Sequence, residues 1–156
     1  MGVVKFGFDE ARTLLQNSTI DDEDILFELS YLGEQMCNHA RNVTKGHATG
    51  GYDDQTGNLR SSIGYRIFKD AQPIKDGGMA RVNGTKGNGS EGENKVVSAL
   101  DTFANSPKVV KNGWTLLVVA GMEYAKYVED KGYNVLYLTG IELEKKIAEI
   151  RKRYGL

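Results

Sequence analysis

Apolar residues at Ile25, Leu29, Leu32, Met36, Ala40 and Val43 advance in steps of 4, 3, 4, 4 and 3. That spacing draws one continuous face along an α-helix. It predicts a long helix opened by Asp21 or Asp22. Asp21, Asp22, Glu23 and Asp24 stand at its start and Arg41 and Lys45 at its end, as the helix dipole favours. A second pattern runs from Leu59 to Phe68. Leu59, Ser61, Ile63, Tyr65 and Ile67 alternate with Arg60, Ser62, Gly64 and Arg66. This predicts a half-exposed strand, begun by one helical turn at 58–62. A third pattern is unbroken: residues 114–120 carry no formal charge and are rich in Leu and Val. They predict a strand buried on both faces. Gly121 interrupts it, a short helix follows with Ala125 and Val128 on one side, and Gly132 suits its C-cap. The chain is then expected to extend again over 135–138. Residues 113–139 thus read as the nucleus of the fold.

The remaining segments are weaker. Residues 1–8 suit a short strand or a loose arm, and Asp9 caps a short helix through Gln16. Residues 46–51 and 83–92 are glycine-rich loops by composition. Residues 70–78 read as a turn region and 79–82 as a short partner strand. Ser90 with Glu93 forms a capping-box pattern before a helix with Val96, Val97, Leu100, Phe103 and Ala104 on one face. Thr139 with Glu142 repeats the pattern before a last helix with Leu143, Ile147, Ile150 and Tyr154 inward. Strands and helices do not alternate regularly. The expected architecture is a single α+β domain over 1–156. A small antiparallel sheet of three to four strands packs against the long N-terminal helix, with additional short helices.

Charge and composition narrow the function classes. The net charge is −1, which supplies no overall drive toward nucleic acid or an anionic membrane. Cys37 is the only cysteine, so no disulfide forms within the chain. No apolar run approaches the ~18 residues of a membrane span. The first residues lack the charged and apolar regions of a secretory leader.

Candidate chemistry is sparse. Residues 87–92 match G-x-G-x-x-G before a helix, which would cradle a pyrophosphate. Glu91 and Glu93, however, place negative charge where a phosphate would sit. Cys37, His39 and His47 offer metal-ligand types, but positions 37 and 39 diverge by roughly 200° on a helix. Asp53-Asp54 supplies only half of a calcium loop. Glu123, Glu129 and Asp130 flank the short helix without a fixed partner acid. Lys145, Lys146, Arg151, Lys152 and Arg153 alternate with Glu142, Glu144 and Glu149. Pairs such as Glu142–Lys146 and Glu149–Arg153 suit a solvated helix face. No catalytic, cofactor-binding or metal-binding residue is expected. Four of the eight tyrosines, Tyr124, Tyr127, Tyr133 and Tyr137, fall in or beside the central stretch and suit packing or subunit contact.

Two segments resemble one family. The first is Tyr52-x-x-x-Thr56-Gly57-Asn58-Leu59-Arg60-x-Ser62-Ile63. The second is the apolar strand ending in Ala120-Gly121, followed by Tyr124-Ala125-x-Tyr127-Val128-Glu129-x-x-Gly132. Together, in this order behind a long helix, they resemble the small tailed-phage neck proteins typified by gene product ten of a lambdoid phage, which are minor tail or tail-completion components. The resemblance implies an α+β fold, no enzyme activity and no cofactor. It implies a homo-oligomeric ring between the head connector and the tail-tube proteins of a phage or prophage. Such a protein is found in the virion, and in the host cytoplasm during assembly, with no membrane and no specific nucleic acid as partner. The segment between Ala71 and Val110 departs from the family pattern. An ion pair between Arg60 and Glu129 is expected from the order of the two segments. Two other readings stand beside this one: a small nucleotide-binding enzyme using the 87–92 loop, and a bacterial adaptor with no virion role.

Overall fold

The computed structural model describes residues 2–6, 21–43, 54–130 and 135–154. The long helix α1 spans Asp22–Val43. Asp21 caps it: Asp24 N donates to Asp21 Oδ1 at 2.9 Å and Ile25 N to the Asp21 carbonyl at 3.1 Å. Ile25, Leu29, Leu32, Met36 and Ala40 of the predicted face are all buried. The Val43 side chain lies outside the described residues.

The sheet has four antiparallel strands in the order β1-β4-β2-β3. They are β1 (Gly2–Phe6), β2 (Ile63–Lys69), β3 (Gln72–Gly77) and β4 (Trp114–Ala120). The helices after α1 are α2 (Asn58–Ser61), α3 (Ser90–Ala104), α4 (Ala125–Asp130) and α5 (Tyr137–Tyr154). On one face of the sheet Ile63, Tyr65, Ile67, Leu116 and Val118 pack with the buried residues of α1 and with Leu143 of α5. On the other, Phe68, Leu117 and Val119 pack with Val96, Ala99 and Leu100 of α3. The fold is α+β, with the sheet between two helical layers.

The expected half-exposed strand is corrected by that second layer. β2 is buried on both sides because α3 covers the face bearing Gly64 and Arg66. Neither residue signals a core. Gly64 leaves room for α3: a Cβ there would lie 2.6 Å from Val96 Cγ2. Arg66 is buried but fully engaged, with Nε and Nη2 on the Asp76 carboxylate at 2.6 and 2.8 Å and Nη1 on Asp101 at 2.8 Å. These charge-assisted bonds hold the guanidinium charged, its pKa raised chiefly by Asp76.

Residues 70–78 are not merely a turn. Lys69 pairs with Gln72, so Asp70 and Ala71 form a two-residue hairpin loop with φ of 50° and 65°. β3 follows, where no strand was expected, and 78–82 has no regular structure in place of the expected strand at 79–82. β3 is solvent-exposed and carries Pro73 and Lys75, residues suited to a sheet edge. Ile67 pairs with Lys75 and Phe68 with Pro73, which leaves Ile74 as the extra residue of a bulge.

Three further expectations change. Val97 points away from the α3 core and is exposed. The box at Ser90 and Glu93 does not form: Gly89 occupies the N-cap, and the Glu93 carboxylate is taken by Arg81. α5 begins at Tyr137, so 135–138 is not extended, and Thr139 lies inside the helix rather than capping it. Thr139 is buried instead, its Oγ1 3.0 Å from His39 Nδ1. That contact, with Glu28 of α1 near Ile150 of α5, sets the two helices antiparallel. The expected helix over 9–16, the loop at 46–51 and the Gly132 cap lie outside the described residues, as does the side chain of Tyr154.

Candidate functional site

The first motif segment builds a joint with the glycine-rich loop. Asp54 is buried just ahead of α2, and its carboxylate accepts from Leu59 N at 3.4 Å and from Arg60 N at 3.0 Å. The Arg60 guanidinium closes the arrangement, with Nε 3.3 Å from Asp54 Oδ2 and Nη2 donating to the Asn83 carbonyl at 3.1 Å. Ser61 and Val82 bond reciprocally: Ser61 Oγ donates to Val82 O and accepts from Val82 N at 2.8 Å. Lys86 N donates to Gln55 O at 2.7 Å and Gly89 N to Thr56 O at 2.9 Å. Asn58 reaches the start of α3, accepting from Gly92 N at 3.3 Å and donating to Glu91 at 3.1 Å.

The glycines permit this approach. Gly57 has φ +75°, and a Cβ there would fall on the Val82 carbonyl oxygen. A Cβ at Gly92 would fall on the Asn58 carbonyl. The 83–92 loop is therefore tied down along its length, not free. Three amides that a phosphate would seek are already engaged: Gly89 N by Thr56, Ser90 N by Asn88 Oδ1 at 3.2 Å and Gly92 N by Asn58. The glycines serve close backbone packing.

The second motif segment builds another joint. Glu129, near the end of α4, accepts from Val135 N at 2.6 Å, Leu136 N at 3.0 Å and Tyr137 N at 2.7 Å. One carboxylate thus satisfies three orphan amides at the entry to α5. Ala125 is buried beneath α4 and Val128 packs against the same core. Tyr124 is 36% exposed. A Cβ on Gly121 would come within 2.8 Å of the Lys95 carbonyl, so this glycine lets β4 end close against α3. The Arg60–Glu129 ion pair expected from the sequence is absent, because each group is committed to its own joint.

The two motif segments meet at Ser62. Gly121 N donates to the Ser62 carbonyl at 3.0 Å, Met122 N donates to Ser62 Oγ at 3.3 Å, and Ile63 pairs with Ala120. Leu59 and Ile63 fill the core beneath. Arg41 reinforces the same place from α1. Its Nε donates to the Arg60 carbonyl at 3.2 Å, and its Nη2 donates to Ile63 O at 2.8 Å and to Gly78 O. Burial lowers the pKa of Arg41. Beside it, burial pushes the Cys37 thiol up to about 12 and the Tyr65 phenol up to about 12. Tyr65 lies flat against α1, where a Cβ on Gly33 would be 2.7 Å from its ring. Tyr52 and Gly132, and the side chain of Tyr127, lie outside the described residues.

Several of the remaining candidate groups are paired. Lys146 pairs with Glu149 at 3.3 Å, not with Glu142 as the helical spacing suggested. Asp130 pairs with Lys126 at 2.8 Å, and Glu123 with Lys95 at 3.5 Å. Among the described residues no three His, Cys, Asp or Glu side chains gather into a metal-binding group. Asp54, Ser61 and Arg41 carry much of the geometry, and sequence reading had given them no part in it. Asp54 alone had left a trace, an acidic residue shortly before a helical turn. The sequence pattern places Arg41 only as a dipole partner at the end of α1. No protein-family model, no curated protein and no solved structure matches the chain.

Proposed function

We propose that the chain is a non-enzymatic structural protein of a tailed phage or prophage. In this reading it acts at the head–tail junction as a homo-oligomeric ring between the head connector and the tail tube. It belongs to the virion, and to the host cytoplasm during assembly. The observation that carries the reading is the meeting of the two family-like segments at Ser62, Gly121 and Met122. They are distant in the chain, yet their two joints touch at this point. Their polar side chains hold backbone: Asp54 and Arg60 order α2, Ser62 holds the end of β4, and Glu129 starts α5. Residues spent in this way suit a scaffold that must present surfaces rigidly. Exposed Phe27, Tyr31 and Tyr137 supply the aromatic surface that subunit contacts favour.

Native mass spectrometry over a concentration series tests the reading. A closed ring that populates with concentration is the expected result; a strict monomer at high concentration counts against it. The nucleotide-binding alternative meets a separate test. A nucleotide at 100 times its dissociation constant adds about 2.7 kcal/mol to stability. With the amides at 89, 90 and 92 engaged, a thermal-shift screen with nucleotides is expected to show no such gain.

A further inference from the structure

We propose that β3 is a strap that opens on its own between two pinned ends and uncovers the edge of β2, with Arg66 as a latch that keeps a second counter-ion when the strap lifts. The inference concerns the folded chain alone and stands apart from the ring reading above. Little packing holds β3 down. Five of its six residues are exposed and none is buried. The buried apolar residues on both faces of the sheet come from other elements, so the two helical layers stay in place when β3 leaves. β2 keeps β4 as its other neighbour. Pro73 brings no amide to the ladder, and the bulge at Ile74 interrupts it. Segments with few buried apolar contacts open at a fraction of the global unfolding free energy.

The chain on either side of β3 is fixed. Asp70 N donates to Gly113 O at 2.8 Å, and Gly113 N donates to Asp70 Oδ1 at 2.7 Å. At the other end Gly78 N donates to Glu34 Oε1 at 3.1 Å, and Gly78 O accepts from Arg41. Gly78 stands at φ +69°, where a glycine can serve as a pivot. Between these pins the charged grip on β3 is Arg66. Its guanidinium holds Asp76 of β3 through two bonds, at 2.6 and 2.8 Å, and Asp101 of α3 through one at 2.8 Å. A buried cation stripped of its only partner is costly. Here Asp101 stays on α3 when Asp76 departs. The two carboxylates also repel each other across the guanidinium they share, which lowers what Asp76 contributes to the closed state. Asp101 therefore eases opening, the reverse of what a simple stabilising ion pair does. Once β3 has lifted, β2 presents an unpaired row of backbone groups, the kind of edge on which another strand pairs.

Residue-resolved hydrogen exchange of the full-length protein tests the strap, with Asp76→Asn and Asp101→Asn beside the wild type. The two carboxylate side chains are 34% and 64% exposed, and circular dichroism checks that each variant folds. Rates at the β2–β3 ladder are read against those at the β2–β4 ladder of the same protein, which removes any change in global stability. In the wild type the amides that pair β2 with β3 are expected to exchange at least about 10-fold faster than those that pair β2 with β4. Asp76→Asn takes charge-assisted bonds from the closed state and is expected to raise that ratio at least about 10-fold further. Asp101→Asn leaves the open state without a counter-ion and is expected to lower the ratio by about 2–5-fold. If the two ladders of the wild type exchange at one rate, β3 opens only with the whole sheet and there is no strap. If Asp76→Asn leaves the ratio unchanged, Arg66 does not hold β3 shut and the latch is wrong. If Asp101→Asn leaves the ratio unchanged or raises it, Asp101 does not support the open state, and the proposal fails on its sign.

Discussion

The joint at Asp54 and the joint at Glu129 use the same group, a carboxylate accepting backbone amides at the start of a helical segment. They differ in what stands behind it. At Asp54 the carboxylate shares its duty with the Arg60 guanidinium, the reciprocal Ser61–Val82 bonds and direct backbone contacts from Lys86 and Gly89. At Glu129 three amides converge on one side chain. The first joint is redundant and crowded; the second is spare and depends on a single residue. A crowded joint is broken by adding an atom, a spare one by removing a group.

The largest effect is expected from Gly57→Ala. The new methyl would meet the Val82 carbonyl, and the residue would be held at φ +75°. Backbone overpacking of about 1–3 kcal/mol adds to a left-handed cost of about 1–2 kcal/mol. A loss of about 2–5 kcal/mol in denaturant unfolding is expected, and a loss below about 1 kcal/mol would show that the loop yields easily. Next comes Glu129→Ala, which leaves three amides at the α5 entry without their acceptor. Loss of a cap with partly buried, charge-assisted bonds is expected to cost about 2–4 kcal/mol. Hydrogen exchange should localise the weakening to the start of α5. Asp54→Asn is expected to cost less, about 1–2 kcal/mol. The amide oxygen can still accept, and the neighbouring backbone contacts remain. If Asp54→Asn proves costlier than Glu129→Ala in the same assay, the contrast between redundant and spare joints is wrong. The smallest effect has the opposite sign and lies outside both joints. Ala71 is held at φ 65° in the β2–β3 turn, so Ala71→Gly relieves a left-handed alanine and is expected to gain about 1 kcal/mol. Thermal melts of the two proteins measure it.

Periodicity made some of this architecture legible and burial hid the rest. The face of α1 and the apolar run of β4 were plain because each writes its packing into spacing or composition. β2 misled because its second face packs through a glycine and an arginine, the one making space and the other supplied with counter-ions from β3 and α3. β3 left almost no signal. Gln72, Pro73, Lys75, Asp76 and Gly77 are poor strand formers, and the strand exists because the Asp70–Ala71 turn lays it against β2. α5 starts three residues before the helix that a capping box at Thr139 predicts, because the cap comes from Glu129, which lies ten positions before Thr139 and cannot be read from adjacent residues. At the candidate site, Thr56-Gly57-x-Leu59-Arg60 drew notice as a motif. Its partner, the 82–92 loop, looked like free glycine-rich chain because glycines used for close packing and glycines used for flexibility have the same composition.

Cys37 turns from a chemical question into an instrument. Its side chain is fully buried against the sheet, and its thiol resists ionisation at neutral pH. A thiol reagent at that pH therefore meets neither an accessible sulfur nor the reactive thiolate. A cysteine placed at an exposed position such as Phe27 or Tyr31 can carry a dye without first removing the native one. Cys37 itself reports a different event: the rate at which it is labelled counts how often the α1 layer lifts from the sheet.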